Sequence, residues 1–184
     1  MNEELRIIVW PDPRLKKISE PVKEFTPALR ELANRMLELM RQHKGVGLAA
    51  PQIGHNIRMF VMNHSGEPND ARVYVNPVLS DPDSDETGEE GCLSLPEINA
   101  QIVRHKTLRI QAQDLEGNPI DQTETGYIAR IWQHEFDHLN GVLITDRMGL
   151  GDRFKNRKTL KELEEKYAAE HPETRSGKSK KKKV

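Results

Sequence analysis

The stretch Gln133-His134-Glu135-Phe136-Asp137-His138 carries the residue types that metal-assisted hydrolysis needs. Two histidines four residues apart stack one turn above the other on a single face of an α-helix, where both imidazoles can reach one cation. Glu135 directly follows the first of them, so its carboxylate lies beside the cation's open position, where it can move a proton. This H-E-x-x-H spacing is used by zinc hydrolases. The bland alternative, one core histidine and one surface histidine, leaves the acid between them unexplained. Hydrolytic sites of this kind take a third protein ligand from elsewhere in the chain.

The helix that displays the pair spans residues 127–140 and is stopped by Gly141. Upstream, residues 5–10 form an apolar extended arm that ends at Pro11-Asp12-Pro13. Thr26 and Pro27 open a helix whose apolar positions Leu29, Leu32, Ala33, Met36, Leu37 and Met40 recur at helical spacing, and Gly45 ends it. Residues 57–62, 73–79, 98–103 and 108–112 read as strands, with an acidic loop over residues 81–90. Leu115-Glu116-Gly117-Asn118 has the composition of a hairpin turn. Residues 142–148 read as a further short extended piece. Residues 152–169 are good helix formers with a thin apolar stripe, which predicts a helix lying exposed on the surface. The order helix, strands, helix predicts an α+β fold: mostly antiparallel sheets packed around the central H-E-x-x-H helix, with an N-terminal helix and an exposed C-terminal one.

The chain has 184 residues, which fits one domain over residues 1–170 with a disordered lysine-rich tail at 171–184. Its formal charge of -1 comes from 28 basic and 29 acidic residues, so no global field draws it to nucleic acid or membrane. No segment approaches the roughly 20 apolar residues of a membrane span. The single cysteine excludes an internal disulfide, and a reducing, cytoplasmic setting is expected.

Two further blocks can carry chemistry. Gly45-Val46-Gly47-Leu48-Ala49-Ala50-Pro51-Gln52 has small residues that let backbone approach backbone or an extended ligand. It lacks the lysine or helix start of a phosphate loop, so a nucleotide site is rejected. Cys92 sits in Glu90-Gly91-Cys92-Leu93-Ser94. Alone it would read as a buried thiol; beside a histidine pair it is the natural third ligand, since a cation deprotonates the thiol.

Together, in this order, the three blocks resemble peptide deformylase, and Trp10-Pro11-Asp12-Pro13-Arg14-Leu15 is similar to that family's N-terminal segment. The resemblance covers roughly residues 5–150, and the separation of the glycine and cysteine blocks looks like the type 1 bacterial branch. It implies removal of the formyl group from the N-terminal formylmethionine of new proteins, with release of formate. By the same resemblance Cys92, His134 and His138 hold one divalent ion, ferrous iron in cells, with zinc, nickel or cobalt accepted. Glu135 is the general acid/base, and the Gln52 amide and the Leu93 backbone N–H contact the oxyanion. Val46, Gly47, Gly91, Tyr127, Arg130 and Ile131 line the substrate site. A metal lowers the pKa of bound water from about 16 towards 7, which supplies hydroxide at neutral pH. The implied partners are N-formylmethionyl nascent peptides, with the ribosome as a candidate contact of the C-terminal helix and lysine tail.

Two positions depart from the family pattern. Ile98-Asn99-Ala100 stands where an arginine often contacts the peptide, and Arg130 stands in the wall of the methionine pocket. The leading rival is an H-E-x-x-H endopeptidase, whose third ligand usually lies downstream of the helix. A closed structural metal site is a second rival, but it needs a convincing fourth ligand.

Overall fold

Alternating apolar residues in the middle of the chain build a sheet that two helices enclose. The computed structural model describes residues 5–172. Five strands, β1 (Gly47–Ala49), β2 (Met59–Met62), β3 (Arg72–Cys92), β4 (Leu95–Gln113) and β5 (Pro119–Thr125), form one sheet in chain order. Every neighbouring pair is antiparallel. The helices are α1 (Pro27–Gln42), α2 (Tyr127–Leu139), the single turn α3 (Ile144–Arg147) and α4 (Leu150–Glu170). This is the α+β architecture expected.

Strand β2 shows why its apolar run is continuous. Met59 and Val61 join the cluster around α1, with Leu29 and Met36, whereas Phe60 and Met62 join the cluster around α2, with Ile131 and Trp132. Successive side chains of a strand point to opposite faces, so a strand between two helices must be apolar on both. Strand β4 has only one covered face at Ile98, Ala100 and Ile102, and its burial alternates there. Thr26 caps α1, its hydroxyl accepting from the Leu29 N–H at 3.3 Å.

Two expectations are corrected. The acidic residues 81–90 belong to β3: Asp83, Asp85, Glu86 and Glu90 stand opposite Thr107, His105, Arg104 and Ala100 of β4. Poor strand propensity is overridden because most of these carboxylates face water, while the backbone pairs across the hairpin and Asp85 meets His105 at 2.8 Å. The piece at 142–148 is the helical turn α3, stabilised by Asp146 Oδ2 accepting from the Leu143 N–H at 2.8 Å. Helix α4 is exposed as expected, with Asn156 its one buried residue, donating to Asn99 O of β4 at 2.9 Å. Of the expected tail, residues 173–184 lie outside the described residues.

Candidate metal centre and active site

Helix α2 is fixed by a cap at its C-terminal end. At its C-terminus Gly141 takes φ +69°, with its N–H on His138 O at 3.2 Å and the Val142 N–H on Asp137 O at 2.9 Å. This six-to-one and five-to-two pair of bonds is a Schellman cap. Along the helix, polar residues are buried as well as apolar ones, so each polar group needs a protein partner. His134 and His138 project side by side, ring centroids 5.0 Å apart at 70°.

Cys92 comes to them from the end of β3, at the tip of the β3–β4 hairpin, where it pairs with Leu95. Its Sγ lies 3.3 Å from His138 Nε2. Donor atoms of Cys92, His134 and His138 all lie within 4.8 Å of one another, a spacing that one cation can bridge.

Glu90 fixes the ring of His134. His134 Nδ1 lies 2.9 Å from Glu90 Oε2, so with its N–H donating there Nε2 is the ring nitrogen left for a cation. Burial works to raise the pKa of Glu90, but the bonds from Arg104 and His134 outweigh it and hold the carboxyl well below the usual range. Burial also opposes charge on His134, yet Cys92 and Glu90 hold its pKa well above the ordinary value. That environment favours positive charge, which a divalent cation supplies. At His138 burial, then His134 and Arg104, push the pKa well below the ordinary value.

Glu135 is buried beside the triad, and burial pushes its carboxyl up to about 7. Its Oε2 has no hydrogen-bond partner among the described residues. An orphaned buried carboxylate oxygen next to three converging donor atoms fits a site built for a cation and the water it activates. On the opposite wall, Gln52 Oε1 accepts from the Ala49 N–H at 2.8 Å, which orients Nε2 towards Ser94 Oγ at 3.2 Å and Cys92 Sγ at 3.7 Å. The N-terminal arm ties down both walls: the Ile8 N–H donates to Gln52 O at 2.7 Å and the Trp10 N–H to Ser94 O at 2.9 Å.

These groups open on a cavity of about 510 Å³. It is lined by Val46, Gly47, Gln52, Gly91, Cys92, Leu93, Tyr127, Arg130, Ile131, His134 and Glu135, so the residues singled out from sequence meet there, with His138 buried beneath. Asn99 lines the same cavity, its Oδ1 only 2.9 Å from where a Cβ on Gly91 would stand. Sequence reasoning assigned no role to Glu90, Arg104, Asp137 and Ser94. Arg104 is buried, bonded to Glu90 at 2.9 Å and to Asp137 of α2. The signal for Glu90 lay in its place beside Gly91-Cys92, but its partners come from distant elements.

The chain matches the polypeptide deformylase family over residues 4–153. It is 43% identical over 159 residues to the peptide deformylase of Thermotoga maritima, covering 86% of this chain and 95% of that one. Among solved structures, a peptide deformylase from Legionella pneumophila superposes with a TM-score of 0.83 at 37% identity, over 89% of this chain and 97% of that one. The Plasmodium falciparum peptide deformylase superposes with a TM-score of 0.88 at 35% identity, over 90% and 99% respectively. The chain belongs to the polypeptide deformylase family of enzymes.

Proposed function

We propose that this chain is a metal-dependent hydrolase that removes the formyl group from N-terminal formylmethionine of nascent proteins and releases formate. The observation that carries the reading is the convergence of Cys92, His134 and His138 with Glu135 buried alongside them. Cys92, His134 and His138 would hold the cation, Cys92 through its thiolate and each histidine through a ring nitrogen. One thiolate and two imidazoles suit ferrous iron, zinc, nickel or cobalt, and we take ferrous iron as the cellular ion by family resemblance. A cation bound there would supply Lewis acidity and lower the pKa of water.

Glu135 takes a proton from the attacking water and returns it to the leaving nitrogen, a role suited to a carboxyl whose burial brings its pKa near neutrality. The Gln52 amide and the Leu93 N–H receive the oxyanion; Gln52 is held for that task by the Ala49 N–H at 2.8 Å. Val46, Gly47, Gly91, Tyr127 and Ile131 form the walls that receive the peptide. The endopeptidase alternative is disfavoured because Cys92, upstream of the helix, stands in the third ligand position.

The test is Glu135→Gln in protein purified anaerobically. Metal content should match the wild type while formate release falls by roughly a hundredfold or more. Undiminished formate release by that variant would remove Glu135 from the mechanism. Metal analysis of the same preparation identifies the ion, and a metal-free, fully active wild type would overturn the whole reading. We infer that the enzyme works in the cytoplasm on chains as they leave the ribosome, with the lysines of residues 178–183 as a candidate contact for RNA phosphates. Ribosome co-sedimentation unchanged by deleting residues 175–184 would exclude the tail from that contact.

A further inference from the structure

Glu90 is saturated. Its Oε1 accepts from Arg104 Nε at 2.9 Å and Arg130 Nη1 at 2.8 Å, and its Oε2 accepts from Arg104 Nη2 and His134 Nδ1, both at 2.9 Å. An ionised carboxylate offers about four lone-pair sites, so the grip on the metal ligand's ring leaves Glu90 no slack. The two arginines come from different places. Arg104 belongs to β4, in the same hairpin as Glu90, whereas Arg130 belongs to α2, which carries His134 and His138.

The other bonds of Arg130 run in the same direction. Nη1 also donates to Ile102 O of β4 at 3.0 Å, and Nη2 donates to Glu86 O of β3 at 2.8 Å. Arg130 is buried, and its guanidinium rests over Gly88 of β3. A Cβ on that glycine would lie 2.9 Å from Cζ, 3.0 Å from Nη2 and 3.1 Å from Nε. Gly88 is therefore the seat that lets a guanidinium fit between helix and hairpin. The residue lines the substrate cavity, but its charged end is bonded to the hairpin.

We propose that Arg130 is a positioning residue: by bonding α2 to the β3–β4 hairpin through Glu90, Glu86 and Ile102, it sets the separation of Cys92 from His134 and His138. It thereby sets the affinity of the site for its cation. The inference rests on the metal site proposed above. Cys92 is delivered by the hairpin and both histidines by the helix, so the ligand geometry is only as fixed as the contact between those two elements. A rigid, forked guanidinium that reaches both strands holds that contact in a way a point charge cannot.

The test titrates full-length protein with Co²⁺ alone, reading thiolate-to-cobalt absorption and a competitive dissociation constant. Arg130→Met keeps a side chain of similar length but no donors; Gly88→Ala keeps every donor and displaces the guanidinium. Each should weaken Co²⁺ binding by about 10- to 100-fold, the usual effect of removing a partner of a metal ligand. The double variant should be no weaker than Arg130→Met, because the new methyl then has no guanidinium to displace, and Arg130→Lys should recover part of the loss. Wild-type affinity in Arg130→Met, or losses that multiply in the double variant, would overturn the proposal. If Arg130→Met does not fold, Gly88→Ala decides: weakened binding supports the proposal and wild-type binding defeats it. Wild-type protein without the thiolate–cobalt band would defeat the metal reading itself and this inference with it. A normal wild-type band with unchanged variants would defeat the inference alone.

Discussion

Gly47 and Glu135 occupy adjoining space: a Cβ on Gly47 would lie 2.3 Å from Glu135 Oε1, 2.8 Å from Cδ and 3.0 Å from Cγ. Gly47 is the first residue of β1, and Glu135 is on α2, so the glycine lets the strand pass directly over the carboxylate. Both residues are buried, which leaves the displaced side chain little room. Gly47→Ala should therefore move the carboxylate and lower kcat for formate release by about a hundredfold, as misplacement by an ångström can, while leaving metal content intact. Steady-state kinetics together with metal analysis checks it; full activity would show that the carboxylate position is unimportant.

Gln52 presents its amide nitrogen to the site because its oxygen is taken by the Ala49 N–H. Gln52→Leu keeps the volume and removes the donor. It should cost about 3 kcal/mol of transition-state stabilisation, seen in kcat more than in KM. An equal rise in KM with kcat unchanged would instead assign Gln52 to ground-state binding.

Gly141 combines φ +69° with a hypothetical Cβ 2.5 Å from Lys16 O and 2.7 Å from Lys16 C. Both the left-handed backbone and the clash with main chain oppose any side chain. Gly141→Ala should destabilise by about 2 kcal/mol or more, lowering the thermal midpoint by roughly 5 °C. Differential scanning calorimetry would show it, and a midpoint within a degree of wild type would contradict it.

Asp12 reports on pH. Burial tends to raise its pKa, but the bonds from Arg14 prevail, with the Arg14 N–H on Oδ1 at 2.9 Å and Nη2 on Oδ2 at 2.7 Å, and its folded pKa is lowered. A depressed carboxyl stabilises the fold above its unfolded pKa of about 3.9, and that contribution is lost as the pH falls through the folded value. Asp12→Asn should cost about 1 kcal/mol at pH 7. The difference should shrink below about pH 4. Urea unfolding across that range measures it; a gap that widens in acid would reverse the sign.

Local patterning alone determined much of this protein. The apolar spacing of α1, the caps Thr26 and Gly141, the H-E-x-x-H turn on α2 and the alternation in β4 are all written within a few residues of where they act. Periodicity and capping are short-range, which is why they can be read without the fold. Val142 to Met148 misled because an apolar run too short to show a period can be strand or helical turn, and the Asp146 cap on Leu143 decided it. The acidic residues of β3 misled for another reason: their strand exists only because β4 lies opposite, and no local preference announces it.

The candidate site divides along the same line. His134, Glu135 and His138 follow from one helical turn, and Cys92 from chemical type, but the second layer belongs to tertiary structure alone. Glu90 meets Arg104 across the hairpin and Arg130 and His134 across to α2, partners 14, 40 and 44 residues away in the chain. Glu90, Arg104 and Arg130 are all buried, and a buried charge is tolerable only with its partners in place. Which partner serves which charge is settled when hairpin and helix pack together.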